Sequence, residues 1–405
     1  MNYKYLFSYK SNIGYFLLLC TVVLLGACDI GDNNVEPGEN IVKIYNNENF
    51  AINYDPLDIK QTSDGGFIIL SSVDVSDTYL LKINELGEFV SDTLITSPFT
   101  HPLPNLFEIG GDFYFFSMDD ISLATHLTKI NLSDSSQAPE IIRTYTEIIY
   151  PLAVSQTPDG GFIIQSYNRD SRSSKLTKLD ANFAESWNNE YEVLEDVENT
   201  IIGKFSGTAE NLPYFTGSMN DGSIYFFNGF YNFSLSVVFV NSSDGDLIGT
   251  LNGLRDETGL SAAQHITGNS FAVSRFSFDD NFLLPLGDIN VQANDFSGDL
   301  GGNELPEILP SAKVVIKRLT INGQNVVLYG SETKSKQIVL YAYDESDGAL
   351  LGTKYFGNVN PYEIGNFVET TDGGLAISGR TFVAGRFPRI CLFKISETEL
   401  NSIVP

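Results

Sequence analysis

The chain has 405 residues, 51 acidic against 24 basic, for a formal net charge of −27. A surface this acidic repels polyanions, which argues against a nucleic-acid or anionic-membrane partner. Its three cysteines exclude a disulfide-stapled scaffold, so core packing must supply the stability.

At the start of the chain, Lys4 and Lys10 precede an apolar stretch from Tyr15 to Leu25 that stops at Leu25-Gly26-Ala27-Cys28. A basic segment, an apolar segment and a small-residue boundary predict a secretory signal over residues 1–27; the apolar part is too short to span a bilayer. The Leu-Gly-Ala-Cys ending resembles the bacterial lipobox. That resemblance implies cleavage before Cys28, acylation of its thiol, and a cell-envelope protein anchored to the outer membrane, facing the periplasm or the outside. Removing residues 1–27 takes away two lysines and no acid, moving the net charge from −27 to −29. Residues 28–40, with Asp29, Asp32, Glu36, Pro37, Gly38 and Glu39, read as a flexible acidic tether. Cys20 leaves with the signal, which makes Cys391 the one cysteine of the domain. Its apolar neighbours Ile390, Leu392 and Phe393 predict a buried, inert thiol.

Beyond the tether one phrase recurs: Gln61-Thr62-Ser63-Asp64-Gly65-Gly66-Phe67, Gln156-Thr157-Pro158-Asp159-Gly160-Gly161-Phe162 and Glu369-Thr370-Thr371-Asp372-Gly373-Gly374-Leu375. Asp-Gly-Gly between apolar runs predicts a hairpin with a primed turn, because these residues tolerate positive φ. Weaker copies place the turn glycines at Gly65, Gly111, Gly160, Gly222, Gly268, Gly323 and Gly373, spaced 46 to 62 residues apart. A repeat near 50 residues fits a four-stranded propeller blade and is too long for a β-helix coil. The expected fold is all-β, a seven-bladed β-propeller of antiparallel blades near residues 57–95, 103–146, 151–195, 203–253, 259–303, 308–356 and 362–396. No helical periodicity is seen.

The second strands decide between a propeller and a row of β-sandwiches. Phe67-Ile68-Ile69-Leu70, Phe113-Tyr114-Phe115-Phe116, Ile224-Tyr225-Phe226-Phe227 and Val326-Val327-Leu328-Tyr329 do not alternate, so both faces must be covered. Stacked blades cover them; separate sandwiches would leave alternating outer faces. The last unit runs out after its third strand, Ile390 to Ile395. Ile41-Val42-Lys43-Ile44-Tyr45 resembles fourth strands such as Glu140 to Tyr145, so residues 41–46 are expected to close the ring as the outer strand of blade seven.

In this plan the tight turns lie at one end of the disc. The second-to-third loops, expected to be longer, lie at the other end with the connections between blades, and that end is the expected binding face. It carries acids (Asp74, Asp77, Asp119, Asp120) and a larger set of bases. The candidate ligand-binding residues are Arg169, Arg172, Arg275, Lys334, Arg380, Arg386 and Phe387, accompanied by Lys175, Lys336, Arg389, Tyr167, Phe276, Phe278 and Phe382. Arginine with aromatics is the composition of interface hot spots and sugar-stacking sites. No catalytic residue, metal ligand or cofactor site is assigned. His101, His126 and His265 fall in different units without zinc-like spacing, and there is no Gly-x-Ser-x-Gly elbow or phosphate-cradling glycine loop. A carboxylate pair for glycoside cleavage is not distinguishable among 51 acids. Trp187, the single tryptophan, is expected on a fourth strand as an outer packing residue.

The hairpin phrase together with Leu81-Lys82-Ile83-Asn84 and Thr177-Lys178-Leu179-Asp180 resembles secreted bacterial β-propeller lipoproteins of the Bacteroidota type, well in three units and loosely in four. The tryptophan-aspartate and kelch signatures are absent. The resemblance implies fold and location. The expected function is non-catalytic: a binding scaffold or receptor subunit, held to the membrane through its lipid and taking a protein or glycan partner. The alternative is an enzyme acting on extracellular polysaccharide through loop carboxylates.

Overall fold

The computed structural model describes residues 40–45, 52–97, 99–131, 139–209, 212–383 and 386–404. Residues 1–39, with the expected signal, Cys28 and nearly all of the tether, lie outside them. Seven sheets follow one another along the chain as the blades of a β-propeller. Blade 1 shows the plan: Tyr54–Gln61 innermost, then Phe67–Val73, Asp77–Ile83 and Phe89–Ile95, each antiparallel to the last.

Alternate side chains of each second strand go to opposite neighbours, which is why these strands are apolar throughout. Phe67 and Ile69 join Ala376, Ile390 and Leu392 of blade 7, whereas Ile68 and Leu70 join Phe113 and Phe115 of blade 2. Tyr114 and Phe116 in turn meet Phe162 and Ile164 of blade 3. Burying each such side chain contributes about 1.5–3 kcal/mol, so a blade with one bare face would lose several of these at once.

Blade 7 consists of Tyr362–Glu369, Leu375–Val383 and Phe387–Ile395, completed by Ile41–Tyr45 from the start of the domain. The closing strand is antiparallel to Phe387–Ile395, with Ile41 opposite Lys394 and Tyr45 opposite Ile390. Tyr45 then donates its hydroxyl to the carbonyl of Gly87, linking blade 7 to blade 1 at 2.8 Å.

The Asp-Gly-Gly corners are built differently from a primed turn. Gly65 N–H donates to the Thr62 carbonyl and Thr62 N–H to the Gly66 carbonyl, both at 2.9 Å. Of the corner residues only Gly65 has positive φ, +82°, which is a type I turn followed by a glycine bulge. The second glycine serves a different purpose: a Cβ on Gly66 would sit 2.3 Å from the Ile83 carbonyl. Each corner also fixes its own aspartate. Thr62 Oγ1 donates to Asp64 Oδ1 at 2.5 Å, and Lys82 from the third strand lies 3.3 Å from Asp64 Oδ2. Lys178 pairs with Asp159 at 2.9 Å and Lys394 with Asp372 at 2.7 Å in the same way.

Three departures from the repeat matter. Blade 2 has a split inner strand, Phe99–Pro102 and Phe107–Ile109, both on Asp112–Asp119. Blade 5 ends in a fourth strand of two residues, Asn303–Glu304, while the preceding Asn294–Phe296 adds in parallel to Leu247–Asn252 of blade 4. Among the described residues two α-helices interrupt the strands, α1 (Glu198–Ser206) between blades 3 and 4 and α2 (Glu397–Asn401) after the last strand. Helix α1 is only nine residues long, too short for a sustained period. It has Glu198 in its first turn, Lys204 in its last, and Gly207 closing it at φ +67°. Trp187 lies on the fourth strand of blade 3, as expected, and donates to the Ser242 carbonyl of blade 4 at 3.0 Å.

Two outcomes test this account. Deleting residues 40–45 should lower the thermal midpoint and cause association through the bared strand Phe387–Ile395; an unchanged midpoint would show that the ring closes without them. The corner aspartates should make the fold acid-sensitive. The Thr62 hydroxyl chiefly, with Gly66 N–H and Lys82, holds Asp64 below its ordinary range against burial. For Asp159 and Asp372 burial pulls upward, but the hydroxyl and lysine contacts outweigh it. Their contribution is present above the unfolded carboxyl pKa of about 4 and is lost as pH falls below it. The midpoint of the wild type should therefore fall more steeply between about pH 5 and about pH 3 than that of an Asp159→Asn, Asp372→Asn variant.

Candidate functional site

The end of the disc opposite the Asp-Gly-Gly corners carries the second-to-third turns and the connections between blades. The turns are shorter than expected: blade 1 turns at Asp74-Val75-Ser76 and blade 4 at Asn232-Phe233. Tight reversal puts non-glycine residues at positive φ, among them Val75 (+80°), Arg172 (+50°) and Phe278 (+53°), an uncommon and costly choice for a β-branched residue such as Val75. The length lies instead in the connections, above all residues 193–214 with α1.

These turns lift apolar side chains into solvent. Val75, Ile121, Phe233, Phe278 and Phe387 on the turns, and Leu194, Leu254 and Val359 on the connections, are between 36% and 85% exposed. Each of the eight belongs to a different blade or junction around the ring, so the feature is a property of the whole face.

The candidate residues are distributed over this face and do not form one pocket. Arg169 pairs with Glu198 of α1 at 2.7 Å. Arg172, Lys334 and Arg386 are exposed, and their side chains make no ion pair among the described residues. Phe387 is exposed beside the buried Arg389, whose guanidinium lies 5.8 Å from its ring centre and donates to the Ile52 carbonyl. Arg275 is buried: it stacks 3.8 Å over Phe282 and donates to the Gly301 carbonyl at 2.6 Å. Arg380 lies between two carboxylates, bonded to Glu363 and 3.3 Å from Asp55. Geometry therefore leaves Arg172, Lys334 and Arg386 open to a ligand among the described residues and gives Arg169, Arg275, Arg380 and Phe387 partners within the protein.

Around the axis Arg380 and Lys336, both named from the sequence, meet charges that sequence reading missed. Arg380 joins Asp55 of blade 1 and Glu363 of blade 7, and Lys336 of blade 6 lies 3.4 Å from Glu363. Glu332 of blade 6 is buried against this group, with one oxygen lacking any hydrogen-bond partner. Burial pushes its carboxyl up to about 7, helped by Glu363 and opposed by Lys336 and Arg380. Deeper in, Asp58 accepts from Ile59 N–H (2.8 Å), Leu106 N–H of blade 2 (2.7 Å) and the Asn366 side chain of blade 7 (2.6 Å). Lys313 of blade 6 donates to the Leu57 carbonyl of blade 1 at 3.3 Å, and Lys317 to the Phe367 carbonyl of blade 7. The signal that could have revealed them is the run of charges on strands of an apolar blade: Asp55, Asp58 and Lys60, then Lys313 and Lys317.

The histidines are apart. His265 accepts from Asn220 N–H and bonds the Gly268 carbonyl, His126 contacts Thr144 and lies 3.6 Å from Asp119, and His101 meets the Phe205 ring. Cys391 is fully buried, and burial raises its thiol pKa. Among the described residues no three metal-ligating side chains stand together.

Glu332 makes a checkable pH dependence. Its folded pKa is raised, so its contribution is full below about 4.5 and is lost as pH rises through about 7. Glu332→Gln should raise the thermal midpoint at about pH 8 and leave it unchanged at about pH 4; equal effects at both would show that the carboxyl is not proton-linked to folding.

No protein-family model and no curated protein matches the sequence. Solved structures do resemble it in chain path. A mutant of AofleA from Arthrobotrys oligospora is 7% identical with a TM-score of 0.40, over 88% of this chain and 86% of that one. The Dos1 propeller is 10% identical with a TM-score of 0.36, over 84% and 67%. The dihydro-heme d1 dehydrogenase NirN is 10% identical with a TM-score of 0.43, over 75% of this chain and 57% of that one. Similarity this low adds nothing to what the strand order establishes, a seven-bladed β-propeller.

Proposed function

We propose that the protein is a lipid-anchored cell-envelope lipoprotein that binds a protein partner through the turn face of its propeller, as a scaffold or receptor subunit without catalysis of its own. The observation that carries this reading is the set of exposed apolar side chains on that face, interleaved with the uncompensated Arg172, Lys334 and Arg386. Large apolar groups lifted into water around a ring are costly unless a partner covers them, and aliphatic with aromatic side chains suits a protein surface better than a glycan.

Chain direction supports the same reading. Residues 41–45 run antiparallel to Phe387–Ile395, so Asn40 lies at the Asp-Gly-Gly end, where its side chain accepts from Ser396 N–H at 3.1 Å. The tether therefore enters the domain at the corner end, away from the turn face. The acids Asp55, Glu332 and Glu363 are the feature that would favour hydrolysis. Arg380 and Lys336 occupy two of them and Glu332 is nearly sealed, so the group reads as a clamp between blades 1, 6 and 7.

Crosslinking in intact cells tests the proposal. A partner recovered with the wild type should be lost from an Ile121→Ser, Phe233→Ser, Phe278→Ser variant with an unchanged thermal midpoint, because all three side chains are exposed. Equal recovery with the variant would overturn the turn face as the binding surface, and an unaltered membrane fraction for Cys28→Ser would overturn the anchor.

A further inference from the structure

The axial lysines have an unusual environment for a protein of this charge. Lys60, Lys204, Lys313 and Lys317 have no carboxylate at ion-pair distance among the described residues. Lys313 donates to a carbonyl of blade 1 from blade 6, past blade 7, so its ammonium reaches across the axis. Lys317 acts on the same space: its charge is opposed by Lys60 and Lys313 and favoured by Asp58. The acids that favour the lysines' charge are already engaged: Asp55 lies 3.3 Å from Arg380, and Asp58 accepts three N–H donors. The surrounding blades lower the pKa of half-buried Lys317 to about 8, while Lys313 is exposed to the solvent of the channel.

An ammonium has three donors. Lys313 and Lys317 each give one to a backbone carbonyl, leaving two apiece for a further acceptor, with those of Lys60 in addition. Like charges gathered here oppose one another, Lys60 and Lys313 against Lys317, and an entering anion relieves that repulsion. The opposite wall is neutral and small: Ser155 accepts from Thr216 at 3.0 Å, and Ala262, Ala263 and Gln264 are half-buried on the first strand of blade 5.

Helix α1 covers part of the turn-end mouth. Glu198 at one end is tied to Arg169 of blade 3, and Gly207 at the other abuts Val75 of blade 1. Ile201 is buried with Met118, Tyr150 and Leu152, and Phe205 meets Tyr150 and His101. Lys204 is thereby held near Asp55 at the axis.

We propose that the axial channel is a binding site for a small multivalent oxyanion, a phosphate or a polycarboxylate, held between Lys60, Lys313 and Lys317 under the cover of α1. This site is independent of partner capture on the turn face.

Calorimetric titration of the purified full chain with inorganic phosphate alone, and separately with citrate alone, tests it. Saturable binding of either supports the site, and the better of the two identifies the class. A Lys313→Met, Lys317→Met variant should weaken that binding at least tenfold, while Lys43→Met, on the exposed outer strand of blade 7, should leave it unchanged. The double variant also gives up the bonds to the Leu57 and Phe367 carbonyls, so each protein's midpoint is compared with its own anion-free value. The wild-type midpoint should rise with the logarithm of anion concentration and that of the double variant should not, a readout that needs no variant to bind. No binding of either anion, or equal binding by the double variant, would overturn the site.

Discussion

The structure depends on one constraint: every blade needs a neighbour on both faces. Phe67-Ile68-Ile69-Leu70 has no polar face to offer water, and the corresponding strands of other blades are equally committed. A linear stack of such sheets would leave two bare ends, each forfeiting several buried side chains. Closing the ring removes both ends, and the strand Ile41–Tyr45 holds it closed by pairing the beginning of the domain with its last strand. Core burial and topology are therefore one requirement, met by a five-residue strand.

A second layer of bonding lies inside the first. Each junction between blades is crossed by a polar group. Asp58 takes Leu106 N–H between blades 1 and 2, and Asn105 donates to Val154 between 2 and 3. Gln165 donates to Asn228 and Asn228 to Leu260, crossing the next two junctions. Tyr329 donates to Leu284 between blades 5 and 6, Lys317 to Phe367 between 6 and 7, and Asn366 to Asp58 between 7 and 1. Apolar contact between blades is non-directional and would tolerate sliding; these bonds set the register in which the sheets stack. The same bonds explain why polar residues occupy the otherwise apolar interior.

The two ends of the disc divide the work. At the corner end, threonine, aspartate, glycine and lysine satisfy one another within each hairpin, so little remains for a ligand. At the turn end, short reversals expose apolar side chains and leave Arg172, Lys334 and Arg386 without an ion pair among the described residues, while the axis gathers lysines despite the acidic exterior. The Asp-Gly-Gly phrase, the most visible feature of the sequence, is therefore a structural device, and the chemistry available to a ligand lies at the opposite end and along the axis.

Much of the fold was legible because its causes are local. Glycine at a positive φ, an apolar run without alternation and a repeat near 50 residues depend on neighbours in the chain, and from them come the blade count, the hairpins and the closing strand. Helix α1 was missed although the widest spacing, between Gly160 and Gly222, marks the insertion that holds it; nine residues carry too little period to separate from a loop. The turn-face candidates were legible as residues of that face, but not as paired or free, since the partners of Arg169, Arg275 and Arg380 come from other segments. The axial lysines were legible only as charges within apolar blades, not as neighbours of one another. Lys313 meets a carbonyl 256 residues away, and whether a lysine is solvated or enclosed depends on which blades the closed ring brings around it. By itself the sequence determined the hairpin corners, the doubly covered strands and hence the propeller. Only the tertiary structure decided which charges are matched, because pairing and desolvation are set by distances between residues far apart in the chain.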